Sequence, residues 1–343
     1  MVLSSDDRRG RAAGQPGSSQ HVDVPPKARQ RLQHLTPRPP AWRYETRTFE
    51  ALGYRFSIRS TWEGVGRYLD AAFEGCGTLD DVEPPLEQGE GSRPVVRYSL
   101  LHGLPGPRSH AVYVGDELGV AAIDAAYVFG YLIWHINQQV IARGSKDHVL
   151  LHAAGAVRNG VGVILPAGQE AGKTTLVAGL VRAGFGYLSD EAVAVRRDRL
   201  DLLPFAKPLS IDPGSWSVLA ELRPRLDPAT AAYLANQWQV PAHHVRRDAF
   251  AGTVTCRVIV FPSYVAGAAT RLEPLRGAES LTTLLSHCFH FHERGARNFE
   301  VLARLAARSR SFRLTSGDLA GACEAVMAAM DADPLRPRHE GRG

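Results

Sequence analysis

The stretch Ala167-Gly168-Gln169-Glu170-Ala171-Gly172-Lys173-Thr174 constrains this chain more than any other. It follows the apolar run Val161 to Leu165 and leads into a segment where Leu176, Val177 and Leu180 recur at helical spacing. A strand, a loop of small residues and a helix in that order match the phosphate-binding loop pattern, with alanine in place of the first glycine. Small residues let the backbone curl so that successive N–H groups point inward, and the helix that starts there adds the positive end of its dipole. On this pattern Ala167, Gly168, Gln169, Glu170, Ala171, Gly172, Lys173, Thr174 and Thr175 enclose a nucleotide. Lys173, solvent-facing in the free protein, reaches the β and γ phosphates, and the Thr174 hydroxyl is a ligand to magnesium. ATP and Mg2+ are the expected cofactors.

A second acidic feature stands close behind. Asp190-Glu191 follows a short strand reading, Phe185 to Leu188, and in an α/β sheet the carboxyl ends of neighbouring strands open onto one crevice. A carboxylate there either holds magnesium or accepts a hydroxyl proton. Ser189 and Asp190 are also ordinary turn formers, so a solvated turn is the bland reading.

The rest of the chain divides around this unit. Residues 1–43 carry eight basic and three acidic side chains, which accounts for the whole formal charge of +5 and leaves the remainder neutral, with no basic face for nucleic acid. Those residues are rich in Gly, Pro, Ser, Gln and Arg and are read as a disordered basic tail. Residues 44–147 read as a small α+β domain, with alternation from Tyr44 to Ile58, a helix from Thr61 to Phe73 with Thr61 as its N-cap, and strands at Pro94 to Leu101 and His110 to Val114. A helix from about Asp124 to Ala142 is apolar nearly all round in its first half, which implies burial. Residues 148–331 form the nucleotide-binding domain, in which Asn159-Gly160 joins two strands by a tight hairpin. Residues 332–343 are read as a flexible tail.

The most apolar stretch, Ala121 to Ile136, carries Asp124 and His135 and is shorter than the ~20 residues a membrane span requires. No secretory pattern opens the chain, and Cys76, Cys256, Cys288 and Cys323 form no CxxC pair. A reduced, cytoplasmic setting without membrane contact is expected.

Leu151-His152-Ala153-Ala154, the hairpin, the loop, and Gly184-Phe185-Gly186-Tyr187-Leu188-Ser189-Asp190-Glu191 together resemble the kinase domain of HPr kinase/phosphorylase and its relatives. Pro204-Phe205-Ala206-Lys207-Pro208-Leu209 and Val258 to Pro262 extend the resemblance to the HPr kinase-related branch, over about residues 148 to 330. The resemblance implies an α/β, phosphoenolpyruvate carboxykinase-like P-loop fold. It implies that Asp190 takes a proton from the acceptor hydroxyl, that His152 sits beside it holding or sharing charge, and that Glu191 helps bind magnesium. The catalytic set expected is thus Asp190, His152 and Lys173, with Thr174 and Glu191 at the metal. The activity implied is transfer of the γ-phosphoryl group of ATP to a hydroxyl, in first place serine, of a peptide, protein or small molecule. No clean Gly-Arg-Asn run is present, Gly295-Ala296-Arg297-Asn298 being a loose match farther along, so HPr itself is not the expected acceptor.

Other residues leave alternatives open. Lys207 either contacts a phosphate or lies over the sheet edge. His287, Cys288, His290, His292 and Glu293 are metal-ligand types or a histidine-rich helix end. His152 on its own is a satisfied strand histidine as readily as a catalytic one, and Arg271, Arg294, Arg297 and Arg313 all have the charge to assist phosphoryl transfer. Outside enzyme classes, a nucleotide-binding regulatory or adaptor protein that has lost catalysis is the alternative, Ala167 and Glu191 being the departures that allow it. Self-association is left open.

Overall fold

The computed structural model describes residues 41–78, 94–106 and 109–332. The expected tails at 1–43 and 332–343 therefore lie almost wholly outside the described residues. The chain is a mixed α/β protein with two large sheets.

The first sheet takes β1 (Tyr44–Glu45), β2 (Phe49–Ala51), β3 (Tyr54–Ser60), β4 (Gly77–Thr78), β5 (Val95–Leu101), β6 (His110–Val114) and β7 (Glu117–Ala122), in the order β4-β2-β3-β5-β6-β7, with β1 also on β3. Two helices accompany it, α1 (Glu63–Ala72) and α2 (Ala125–Asp147). Trp62, not Thr61, is the N-cap of α1, and it makes no side-chain cap. The Thr61 hydroxyl is spent elsewhere, accepting the His102 N–H at 2.8 Å, so a strand-end contact outcompetes the local cap. Asp124 does cap α2, its carboxylate accepting from the N–H groups of Ala126 and Tyr127. As expected of a helix buried between layers, α2 packs on both sheets through a broad face that includes Ala125, Phe129, Leu132, Ile136 and Val140, while Tyr127 and Trp134 on its other face are exposed.

The second sheet has eight strands: β8 (Val149–Arg158), β9 (Val161–Pro166), β10 (Gly186–Ser189), β11 (Ala192–Val195), β12 (Asp201–Leu203), β15 (Val254–Tyr264), β16 (Arg271–Leu275) and β17 (Arg310–Ser316). A separate two-stranded sheet pairs β13 (Leu209–Ile211) with β14 (Trp238–Val240). The hairpin between β8 and β9 turns on Asn159 and Gly160, both at positive φ, as a tight two-residue turn requires. Five strands pair in a closed circuit, β8 to β9, β9 to β15, β15 to β12, β12 to β11 and β11 back to β8.

Helices cover both faces of this sheet. On one side α3 (Lys173–Arg182) and α8 (Leu319–Asp331) pack on Ala154, Val163, Leu165, Val258 and Val260. Against the other, α6 (Gly277–Ser286) and α7 (Phe291–Arg308) meet Leu151, Ile164, Ile259 and Phe261. Alternate residues of β8, β9 and β15 point to opposite faces, the period of two that strands impose.

Residues 204–253 make an excursion between β12 and β15 that includes two short helices, α4 (Pro228–Ala231) and α5 (Ala242–Val245). It ties the halves together. Phe205, Tyr233 and Leu234, with Leu150, Ala192 and Ala194 of the second sheet, belong to the same apolar core as Phe49, Phe56, Leu69 and Ile136. Polar contacts follow the same seam: Trp62 Nε1 donates to Thr230 Oγ1 at 3.0 Å, the Tyr233 hydroxyl lies 2.8 Å from His102 Nδ1, and the Tyr68 hydroxyl donates to the Gln239 carbonyl.

Candidate active site

The ends of β9, β10 and β15 and the start of β11 surround a cavity of about 970 Å³. Every expected site residue from Gln169 to Thr175, together with His152, Asp190 and Glu191, lines it. Ala167 lies just beneath, buried, its carbonyl turned to Lys173.

The loop owes its shape to two residues at positive φ, Glu170 and Gly172, on either side of Ala171. Gly172 is the residue before α3, and a side chain there would be strained at φ 82° and would approach Cβ of Tyr264. The N–H groups of Gly172, Lys173, Thr174 and Thr175 donate to no described residue. Unspent donors at the N-terminus of a ten-residue helix suit an anion.

Lys173 is not solvent-facing. It is only 7 % exposed, and its ammonium donates to the carbonyls of Ala167 at 2.9 Å and Gly168 at 2.6 Å. Burial pulls its pKa down, an effect opposed by Glu191 and Asp190. The reason is local: the loop's own carbonyls are the acceptors within reach, and an unpaired buried ammonium is costly.

Asp190 is the best-connected polar side chain here. Its Oδ2 accepts from Thr174 Oγ1 at 3.1 Å and from the Ser210 N–H at 2.9 Å. The other oxygen, Oδ1, accepts from the Tyr187 hydroxyl at 2.9 Å and lies 2.7 Å from Lys207 Nζ. Four donors match the roughly four acceptor sites of a carboxylate. Lys207 is 0 % exposed, so it lies neither over the sheet edge nor against the open cavity. It pairs with Asp190 and also donates to the Pro208 carbonyl and to Ser210 Oγ, each at 2.9 Å. Ser210 in turn donates to Gln239 Oε1 at 3.1 Å. Among the described residues, these three contacts satisfy a buried ammonium that would otherwise carry a large desolvation cost.

Glu191 differs from its neighbour. Its carboxylate hydrogen-bonds to no described residue while lining the cavity, and burial raises its pKa. His152 makes no hydrogen bond to Asp190. Its backbone N–H donates to the His287 carbonyl at 2.7 Å, and its ring lies against Phe289. Burial, then Lys173 and His287, push its pKa down to about 4, so the ring is neutral at neutral pH.

The remaining signals resolve differently. Among the described residues no arginine lines the cavity, and Arg294 is engaged with the carbonyls of Ser145 and Lys146 at the end of α2. The 287–289 segment pairs with β8 instead of forming a ligand set, and among the described residues no group of three or more His, Cys, Asp or Glu side chains is arranged to hold a metal by itself. The four cysteines are unpaired. Among the described residues no helix is long and apolar enough to cross a membrane. Sequence reasoning missed Ser210, Asp212, Ser215 and Tyr264 in the cavity wall, which lie outside the motifs and are brought there by chain folding. It gave no role to Tyr187, which is buried beneath the cavity on Asp190.

No family model matches the chain, and no curated protein matches it in sequence. Solved structures do show a likeness. One is described as the structure of the Hpr(Ser) kinase/phosphatase from Coxiella burnetii, 12 % identical, with the match covering 52 % of this chain and 94 % of that one at a TM-score of 0.28.

Proposed function

We propose that this chain binds ATP with magnesium at residues 167–175 and transfers the terminal phosphoryl group to a hydroxyl of a peptide, protein or small-molecule acceptor, a serine in first place. One observation carries the reading: the unspent N–H groups at the start of α3, Lys173, the Thr174–Asp190 hydrogen bond and the free Glu191 carboxylate all meet in one cavity.

The residues present fit a magnesium ion carried in with a nucleotide. Such an ion draws one or two ligands from protein and the rest from phosphate and water, so no three-residue cage is needed. Thr174 Oγ1 would hold it through its lone pairs while its O–H stays directed at Asp190, and the ion would supply charge neutralisation at the phosphates. Lys173 exchanges the Ala167 and Gly168 carbonyls for phosphate oxygens. That replaces neutral acceptors by charged ones, the stronger hydrogen bonds.

Asp190 and Glu191 then take roles opposite to those implied by resemblance. Asp190, with four donors on it, orients Thr174 and has no lone pair to spare for an incoming hydroxyl. Glu191, unengaged and with its pKa raised by burial, is the proton acceptor. The acceptor oxygen attacks the γ phosphorus, the bond to the β–γ bridging oxygen breaks, ADP leaves, and the hydroxyl proton passes to Glu191. His152, uncharged, shapes the wall beside the reacting groups.

Calorimetry with MgATP and ADP release, to an acceptor or slowly to water, test this together. Lys173→Ala should lose MgATP affinity. Glu191→Gln should keep affinity within a few-fold and lose turnover by roughly 10²-fold or more. Asp190→Asn should weaken magnesium-dependent binding. A wild-type chain that fails to bind MgATP overturns the function. Binding without any ADP would leave a nucleotide-binding regulator, and full turnover in Glu191→Gln returns the base to Asp190.

A further inference from the structure

The cavity has two unlike ends, and the strand order separates them. Across the rim run the β10–β11 turn with Asp190 and Glu191, then β8 with His152, then β9 and its loop, then β15 ending at Tyr264, then β17 ending at Ser316. Asp318 also lines the cavity, after β17, but Asp190 and Glu191 both lie on one side of β9. Beyond it, β9, β15 and β17 are parallel, so the ends of β15 and β17 rise beside the loop.

On that far side the lining changes character. Tyr264, Leu314, Leu319 and Ala322 contribute apolar surface. Tyr264 is 61 % exposed, and its side chain makes no hydrogen bond or ring contact with a described residue. It also stands next to the loop: a Cβ built on Gly172 would lie 3.8 Å from that of Tyr264. An exposed aromatic ring on a cavity wall, rather than scattered on the surface, marks a place for a flat apolar partner. The wall formed by residues 212–218 offers the exposed Val218 but no free ring, since Trp216 is stacked on Trp238 at 4.9 Å.

A triphosphate is a linear chain. With its terminal phosphate held between Lys173, Thr174 and the two carboxylates, its other end leaves across β9 toward β15 and β17. We propose that Tyr264 is the stacking platform for the base of the nucleotide, with Leu319 and Ala322 completing an apolar slot, and that the cavity therefore holds the nucleotide in one direction only. This rests on the nucleotide-dependent function proposed above and adds to it the subsite that distinguishes a nucleotide from a bare polyphosphate.

Calorimetry on the full chain with magnesium compares ATP with inorganic tripolyphosphate, for wild type, Tyr264→Ala and Tyr264→Phe. Stacking of one base on one ring corresponds to about ten- to a hundredfold in affinity. Wild type should bind ATP at least about tenfold more tightly than tripolyphosphate. Tyr264→Ala should remove most of that advantage while leaving tripolyphosphate affinity unchanged, and Tyr264→Phe should keep it. An unchanged ratio in Tyr264→Ala, or an equal loss for both ligands, overturns the platform. Equal affinity of wild type for both ligands overturns it too, yet leaves the phosphate site standing. Binding of neither removes the proposed function, and the inference with it.

Discussion

His152 shows how much one residue's surroundings decide. On a strand before the loop it invited a charge-sharing role, but the fold buries it beside Lys173 and His287, and its pKa falls from 6.5 to about 4. The sign of the consequence is fixed. Above pH 6.5 the ring is neutral in both folded and unfolded chains and costs nothing. As pH falls through 6.5 toward 4, the unfolded chain takes up a proton that the native ring refuses, so stability drops over that window, by at most about 3 kcal/mol. Urea midpoints measured from pH 7 to 4 should therefore fall more steeply for wild type than for His152→Gln. Equal slopes would mean that the ring titrates normally. The residues of the site divide by the same criterion. Gln169 to Thr175, Asp190 and Glu191 were legible because a contiguous pattern carries them. Lys207, Ser210 and Tyr187 were not, because nothing in Pro204 to Ser210 announces that its lysine folds inward onto a carboxylate seventeen residues back.

At the scale of elements, local signals succeeded where one local interaction dominates. The Asn159-Gly160 hairpin and the start of α3 at Lys173 are of this kind. Thr61 failed as a cap because a tertiary partner claimed its hydroxyl. Helix α7 escaped notice among its arginines and histidines, although Asn298, Val301, Leu302, Leu305 and Ala306 repeat at helical spacing and are its buried stripe. The Asp124 cap can be tested directly. It satisfies two N–H groups at the head of a 23-residue helix that packs on both sheets, so Asp124→Ala should cost about 1 kcal/mol in denaturant unfolding. Asp124→Ser should restore most of that loss. A neutral Asp124→Ala would mean that packing alone holds the first turn.

For the molecule as a whole, sequence suggested two domains meeting near residue 147, and apart from the Asn159-Gly160 hairpin strand pairing partners were beyond its reach because alternation names a face but never a neighbour. In the structure one apolar core crosses that point, and a polar chain runs from Tyr68 on α1 through Gln239, Ser210 and Lys207 to Asp190. The first half thus props the second half's carboxylate. Tyr68→Phe leaves a buried carbonyl without its donor, which should cost about 1–3 kcal/mol, and should weaken MgATP binding well beyond what a surface change does. Unchanged affinity in a destabilised variant would show that the prop is structural only. The closed circuit of β8, β9, β15, β12 and β11 bears on motion. A sheet with open edges can shear, each strand sliding on the next, whereas a ring of paired strands cannot move one member without breaking register with two others. The bases on which Lys173, His152 and Glu191 stand thus behave as one stiff frame. On the function proposed above, a substrate would be admitted by the parts mounted on that frame: the 167–172 loop, the Lys173 side chain and the 212–218 wall.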